Sequence, residues 1–167
     1  MSRMVDRSGG TPVSAASPAA AFTTVTSYLS WDHTRLERAL AGAREHLRAE
    51  RMGAARQSFD EYARGLERHM RVEEDLVFPV FEELSGLSGG PVAVMRDEHR
   101  SIRMALAMMR DGLERDDTQS FGAGVRFLQS ILPEHNAKEE HVLYPTTDRL
   151  LTPSARATLA RRLEREE

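Results

Sequence analysis

The chain reads as an all-α protein: an antiparallel up-and-down four-helix bundle with a short extra C-terminal helix. Three observations carry that reading. From about Val25 onward β-branched residues are sparse, and Ala, Leu, Arg and Glu, which favour helix, abound. Apolar residues recur at three- and four-residue spacing through four long stretches. Only short breaks separate those stretches, which suits antiparallel neighbours.

Helix 1 is expected from about Thr26 to Arg51, with Leu29, His33, Leu36, Leu40, Ala43 and Leu47 on its inward seam. Helix 2 follows from about Gly53 to Leu84, with Phe59, Tyr62, Leu66, His69, Glu73, Leu76 and Val80 inward. The run Ser85-Gly86-Leu87-Ser88-Gly89-Gly90 ends it, and Pro91 suits the first turn of helix 3. Helix 3 continues to about Arg115 through Val92, Met95, His99, Ile102, Leu106, Met109 and Leu113. Asp116-Asp117-Thr118 offers N-caps for helix 4, which reaches about Asp148 with Pro133 and Pro145 as kinks or boundaries. Its seam is Phe121, Val125, Leu128, Leu132, His135, Glu139 and Val142. Thr152-Pro153 caps the last helix, which has Leu159 and Leu163 on one side. Residues 1–22, rich in Ser, Gly, Pro and Ala, are expected to form a disordered leader, residues 23–150 the bundle, and residues 151–167 a C-terminal helix packed on it.

Composition narrows the function. A chain of 167 residues, 40% hydrophobic and 29% charged, is one globular domain's worth. Its net charge of −3, with no basic stripe, argues against nucleic acid as a partner. No apolar run approaches the roughly 20 residues that span a bilayer, so no membrane partner is expected either. With no signal-like segment the expected address is the cytoplasm. No cysteine is present, so any metal must be held by histidine and carboxylate.

Six ionisable side chains sit on the apolar seams: His33, His69, Glu73, His99, His135 and Glu139. Burying such groups singly costs several kcal/mol each, so they must satisfy one another or share a ligand. His69 to Glu73 and His135 to Glu139 are one helical turn apart, about 40° around the axis, so each pair points inward at one level. Four imidazoles and two carboxylates suit iron, manganese or zinc better than Ca²⁺ or Mg²⁺. Two central carboxylates are able to bridge two ions.

An internal repeat supports the constellation. His33 and His99 lie 66 residues apart, as do His69 and His135, Glu73 and Glu139, Glu74 and Glu140, and Pro79 and Pro145. The segments HMRVEEDLVFP (69–79) and HNAKEEHVLYP (135–145) share one pattern. Two copies of a helix pair about a pseudo-two-fold axis would centre a near-symmetric metal pair on that axis.

The order His33, His69-x-x-x-Glu73, His99, His135-x-x-x-Glu139, followed by Phe78-Pro79 and Tyr144-Pro145, resembles the hemerythrin-like (HHE cation-binding) domain over about residues 25–150. The resemblance implies two non-haem iron ions, oxo- or hydroxo-bridged, with the four histidines as terminal ligands and Glu73 and Glu139 bridging. Zinc or manganese would also suit these ligands. It further implies binding, sensing or reaction with O₂, NO or peroxide, or iron handling, with a small diatomic ligand or peroxide as partner and a monomer or homodimer as the assembly. Peroxide or NO chemistry would make the protein an enzyme, though no oxygenase-type substrate pocket is marked. The alternative is a redox-inert zinc or mixed-metal clamp in an interaction module. O₂-carrying members have a fifth histidine one turn after the third-helix ligand, where this chain has Arg103.

The remaining candidates have plainer expectations. Glu74 and Glu140, one step off the seam, are expected as outer partners or surface groups. Asp32 and Glu98, each just before a ligand histidine, either accept a neighbouring imidazole N–H or face water. His46 and His141 are expected at the surface. Met95, Met104, Met108 and Met109 read as core filler, and Trp31, Tyr62 and Tyr144 as packing aromatics.

Overall fold

The structure, a computed structural model, describes residues 22–166, so the expected leader lies outside the described residues except for Phe22. It is all-helical there, with no strand. The first hairpin is α1 (Val25–Arg48) against α2 (Met52–Val72). A π-helical segment, Glu73–Val77, leads from α2 into α3 (Phe78–Ser85). The second hairpin is α4 (Pro91–Glu114) against α5 (Thr118–Gln129). It is prolonged by α6 (Leu132–Lys138), a second π segment (Glu139–Leu143) and α7 (Tyr144–Leu150). Packing is heaviest within each hairpin, and α8 (Pro153–Arg165) lies along α1 with Leu159, Ala160 and Leu163 buried.

Local chemistry explains the boundaries. Thr24 caps α1 by accepting from Ser27 N (3.0 Å), and the buried Asp148 carboxylate takes the N–H groups of Val25 (2.9 Å) and Thr26 (3.0 Å). Asp117 caps α5 through Gln119 N and Ser120 N, both at 3.0 Å. The repeat extends to the hairpin turns. Glu50 and Asp116, 66 residues apart, both take left-handed backbone (φ 56° and 54°). Arg51 N bonds His46 O (2.9 Å), as Asp117 N bonds Gly112 O (2.8 Å).

The π segments come from the prolines. Pro79 has no N–H, and in a regular helix its ring would strike the carbonyl of Asp75, four residues back. A wider turn one step earlier, Phe78 N–H to Glu73 O, relieves the conflict, and Tyr144 N–H to Glu139 O repeats it before Pro145. Each such turn adds a residue and rotates the helix downstream of it, which corrects the seam of helix 4. Val142, expected inward, is 56% exposed, while Leu143 and Tyr144 are buried. Helix 4 is also broken outright at Ser130–Ile131, where Pro133 opens α6. Met95 and Met109 fill the core as expected, but Met104 and Met108 lie on the outer face of α4, 61% and 41% exposed.

Two apolar clusters result. One, around Leu36, Phe59, Ile102 and Leu128, fills the bundle towards the hairpin turns. The other, around Tyr28, Phe78, Met95 and Tyr144, fills the opposite end. The polar seam residues lie between them.

Candidate metal centre

All six seam residues converge. His33, His69, Glu73, His99, His135 and Glu139 are each 6% exposed or less, and both glutamates are fully buried. His33 Nε2 stands 3.0 Å from His69 Nε2 and 3.3 Å from Glu139 Oε2. His135 Nε2 is 3.1 Å from Glu139 Oε1, and His99 Nε2 is 3.9 Å from that same oxygen. Glu73 Oε2 is 3.3 Å from His99 Nε2 and 3.5 Å from His69 Nε2. Two groups able to hold an ion emerge, one of His33, His69 and Glu139, the other of Glu73, His99, His135 and Glu139. Glu139 belongs to both.

The outer partners decide which ring nitrogen faces inward. Every one of the four histidines puts its Nδ1 against a carboxylate: His33 on Glu140 (2.7 Å), His69 on Asp32 (3.0 Å), His99 on Glu74 (2.7 Å) and His135 on Glu98 (3.0 Å). A carboxylate only accepts, so each Nδ1 donates, and in the neutral ring the Nε2 lone pair points inward. The geometry obeys the repeat: Asp32 and Glu98 serve within their own hairpin, while Glu74 and Glu140 reach across to the other. Thus Asp32 and Glu98 accept imidazole N–H groups rather than facing water.

Basic residues back these carboxylates in turn. Asp32 receives Arg35 Nε (2.6 Å) and Arg68, Glu98 receives Lys138, and Glu74 receives Arg103 Nη1 (2.9 Å) and Nη2 (3.2 Å). Arg103 therefore stands outside the centre, holding the Glu74 carboxylate that orients His99. These cationic partners escaped the sequence reading, because an Arg on a helix flank has no periodic signature that separates it from a solvated one. Tyr144 donates its hydroxyl to Glu73 Oε1, and Phe78, its counterpart in the repeat, stacks on the His99 ring at 5.6 Å.

The unsatisfied atoms point to a cation. Glu73 Oε2, His99 Nε2 and both Glu139 oxygens are buried with no hydrogen-bond partner. The lone pairs of His33 Nε2 and His69 Nε2 face each other at 3.0 Å, which no neutral hydrogen bond explains. Nitrogen and carboxylate donors of this kind, with carboxylates behind the imidazoles, form a set that first-row divalent and trivalent metals take.

Without a metal, protons must hold the cluster together. Burial pushes His33 and His135 down, but the Glu139 carboxylate more than reverses it and lifts both to about 9. His99 is likewise raised, by Glu73 against burial. Burial pushes Glu139 up, and the protonated imidazoles of His135 and His33 beside it override this and hold it well below the ordinary carboxylate range. Protonated histidines thus contribute stability that is complete below their unfolded value of about 6.5 and lost as pH rises through about 9. Ionised Glu139 contributes stability that is complete above about 4.5 and lost as pH falls. Thermal midpoints of chelator-treated protein are expected to peak between about pH 5 and 6.5 and to decline towards pH 9. A flat profile over that upper window would contradict the paired imidazoles.

His46 and His141 lie outside the cluster. His141 is exposed and donates from Nδ1 to Ala137 O (2.9 Å), and His46 Nδ1 accepts from Arg51 Nε (3.1 Å). His141→Ala is expected to leave metal content unchanged in elemental analysis. A lost ion would mean that the rotation introduced by the second π segment differs from that described.

A bundle with four inward imidazoles and two buried carboxylates, backed by a ring of outer carboxylates, is of the cation-binding class. Its family emerges from the comparison with known proteins. The model of the Hemerythrin HHE cation binding domain matches residues 24–147, and the chain belongs to that family. No curated protein and no solved structure matches the chain. No helix among the described residues is long and apolar enough to cross a membrane.

Proposed function

We propose that this chain holds two non-haem iron ions between its hairpins and binds, senses or reacts with O₂, NO or peroxide there. The observation that carries the reading is the pair of donor groups sharing Glu139, whose two oxygens face the histidines of three helices and bond to nothing else. In this reading His33 and His69 serve one ion, His99 and His135 the other, and Glu73 and Glu139 bridge. Bound iron would supply one-electron chemistry and positions for a small ligand.

The chain's own groups set the conditions. The Nδ1–carboxylate pairs fix each imidazole's orientation and raise its donor strength. Arg35, Arg68, Arg103 and Lys138 compensate three of the four outer carboxylates and keep them in place. The two apolar clusters above and below exclude bulk water. Tyr144 holds Glu73 by its hydroxyl, and burial followed by the charges of Glu139 and Glu73 keeps that phenol protonated.

Metal content of protein purified without added metal tests the reading. About two irons per chain, with absorption in the near-ultraviolet and visible, are expected. Predominant zinc in a colourless protein would overturn the redox assignment. A folded protein without metal would reduce the cluster to a hydrogen-bonded core.

A further inference from the structure

The repeat is nearly symmetric around the cluster, but the space beside it is not. A cavity of about 40 Å³ touches His33, His69 and His135 and is otherwise walled largely by aliphatic side chains of α1, α2 and α6. That volume admits one or two water-sized molecules. A larger surface groove between α1 and the α5–α6 break shares Glu37, Leu40, Leu132 and Asn136 with the cavity. These four residues form the neck between solvent and cluster.

The equivalent neck in the other half is shut. Glu37 corresponds to Arg103, which closes over the cluster by bonding Glu74 and, through Nε, Glu67 (3.1 Å). Asn136 corresponds to Met70 and Leu132 to Leu66; both counterparts are buried, whereas Asn136 and Leu132 are half-exposed. The cause lies in the backbone. The chain breaks at Ser130–Ile131, while the matching stretch around Arg64 and Gly65 runs on as unbroken α2. Pro133 stands where the closed side has Glu67, so of the two carboxylates that hold Arg103 only Glu74 has a counterpart in the open half, Glu140.

We infer that, among the described residues, small neutral molecules reach the cluster through the α1–α6 neck between Glu37 and Asn136, and that Arg103 seals its symmetry mate. The aliphatic walls of the cavity disfavour ions of either sign and its volume limits passage to species of diatomic size, while at the mouth Glu37 and Glu140 share the groove with Arg44. This rests on the cluster being a centre that meets a small ligand, but its test does not require iron.

The test uses dissolved O₂ as probe and methyl relaxation of the full-length, zinc-treated protein as readout. Paramagnetic enhancement at the Leu36 and Leu40 methyls is expected to exceed that at their counterparts Ile102 and Leu106 by at least about threefold. Glu37→Arg, which places a guanidinium within reach of Glu140, and Asn136→Met, which copies the closed half, are each expected to remove most of that excess. Equal enhancement in the two halves, or an excess untouched by both variants, would overturn the one-sided route. An iron-free protein with the expected methyl pattern would instead overturn only the redox assignment.

Discussion

Glu139→Ala is expected to cost the protein at least one bound metal ion and most of the stability that metal provides. Both Glu139 oxygens are buried and unbonded, and they lie 3.1, 3.3 and 3.9 Å from the Nε2 atoms of His135, His33 and His99. No other side chain belongs to both donor groups. Truncation therefore removes a donor from both positions and leaves the Nε2 atoms of His33 and His135 without the carboxylate nearest to them. A ligand present at 100 times its dissociation constant stabilises the folded state by about 2.7 kcal/mol, so loss of the metal alone should lower the thermal midpoint by several degrees. Glu139→Gln separates the causes: it keeps the volume and removes the charge, so it should lose metal as the alanine variant does while packing better. Glu73→Ala should also lose metal, though Glu73 touches only His69 and His99 and is held by Tyr144. Unchanged metal content in both alanine variants would overturn the bridging role.

The largest effect away from the centre is expected at Gly112. A Cβ there would lie 2.5 Å from Phe121 N, 2.9 Å from Phe121 Cα and 3.0 Å from Asp117 O, all backbone atoms of the adjoining helix start. Backbone cannot swing aside as a side-chain tip can, so Gly112→Ala must push α4 and α5 apart. A cost of about 2–3 kcal/mol is expected, or roughly 5–10 °C in thermal midpoint. The counterpart in the first hairpin, His46, carries a full side chain in the same hydrogen-bonded turn. The demand for glycine thus comes from the close seating of Phe121, whose counterpart is Ala55. An Ala variant as stable as the parent would mean the hairpin has slack that the contact distances deny.

Much of this architecture was legible because two periods coincide in the sequence. Helical spacing placed His33, His69, His99 and His135 on apolar seams, and the 66-residue offset showed that the arrangement occurs twice. Asp32 and Glu98 were candidates for a related reason, since a residue adjacent to an inward-facing one points sideways, but spacing alone left both an imidazole N–H and water open as their neighbour. Val142 failed because strict 3.6-residue spacing was carried into Glu139–Leu143, where the chain relieves the steric clash of Pro145 by inserting a wider turn. Proline announces a disturbance but not its form: the same residue type gives a π turn at Pro79 and Pro145 and a clean break before Pro133. The pairing of Arg103 with Glu74 depends on how two hairpins dock, which local spacing does not encode.

The crossed outer carboxylates also bear on how the protein is made. His33 takes its carboxylate from Glu140, 107 residues later, and the first turn of α1 is held by Asp148. Neither hairpin, emerging alone, possesses a complete set of oriented imidazoles. At ordinary synthesis rates the interval between those two residues leaving the ribosome is about 5–20 s. For that time the first two histidines are exposed on a nascent hairpin whose cluster has no closing half. Metal insertion is thereby deferred until translation has passed the second copy of the repeat.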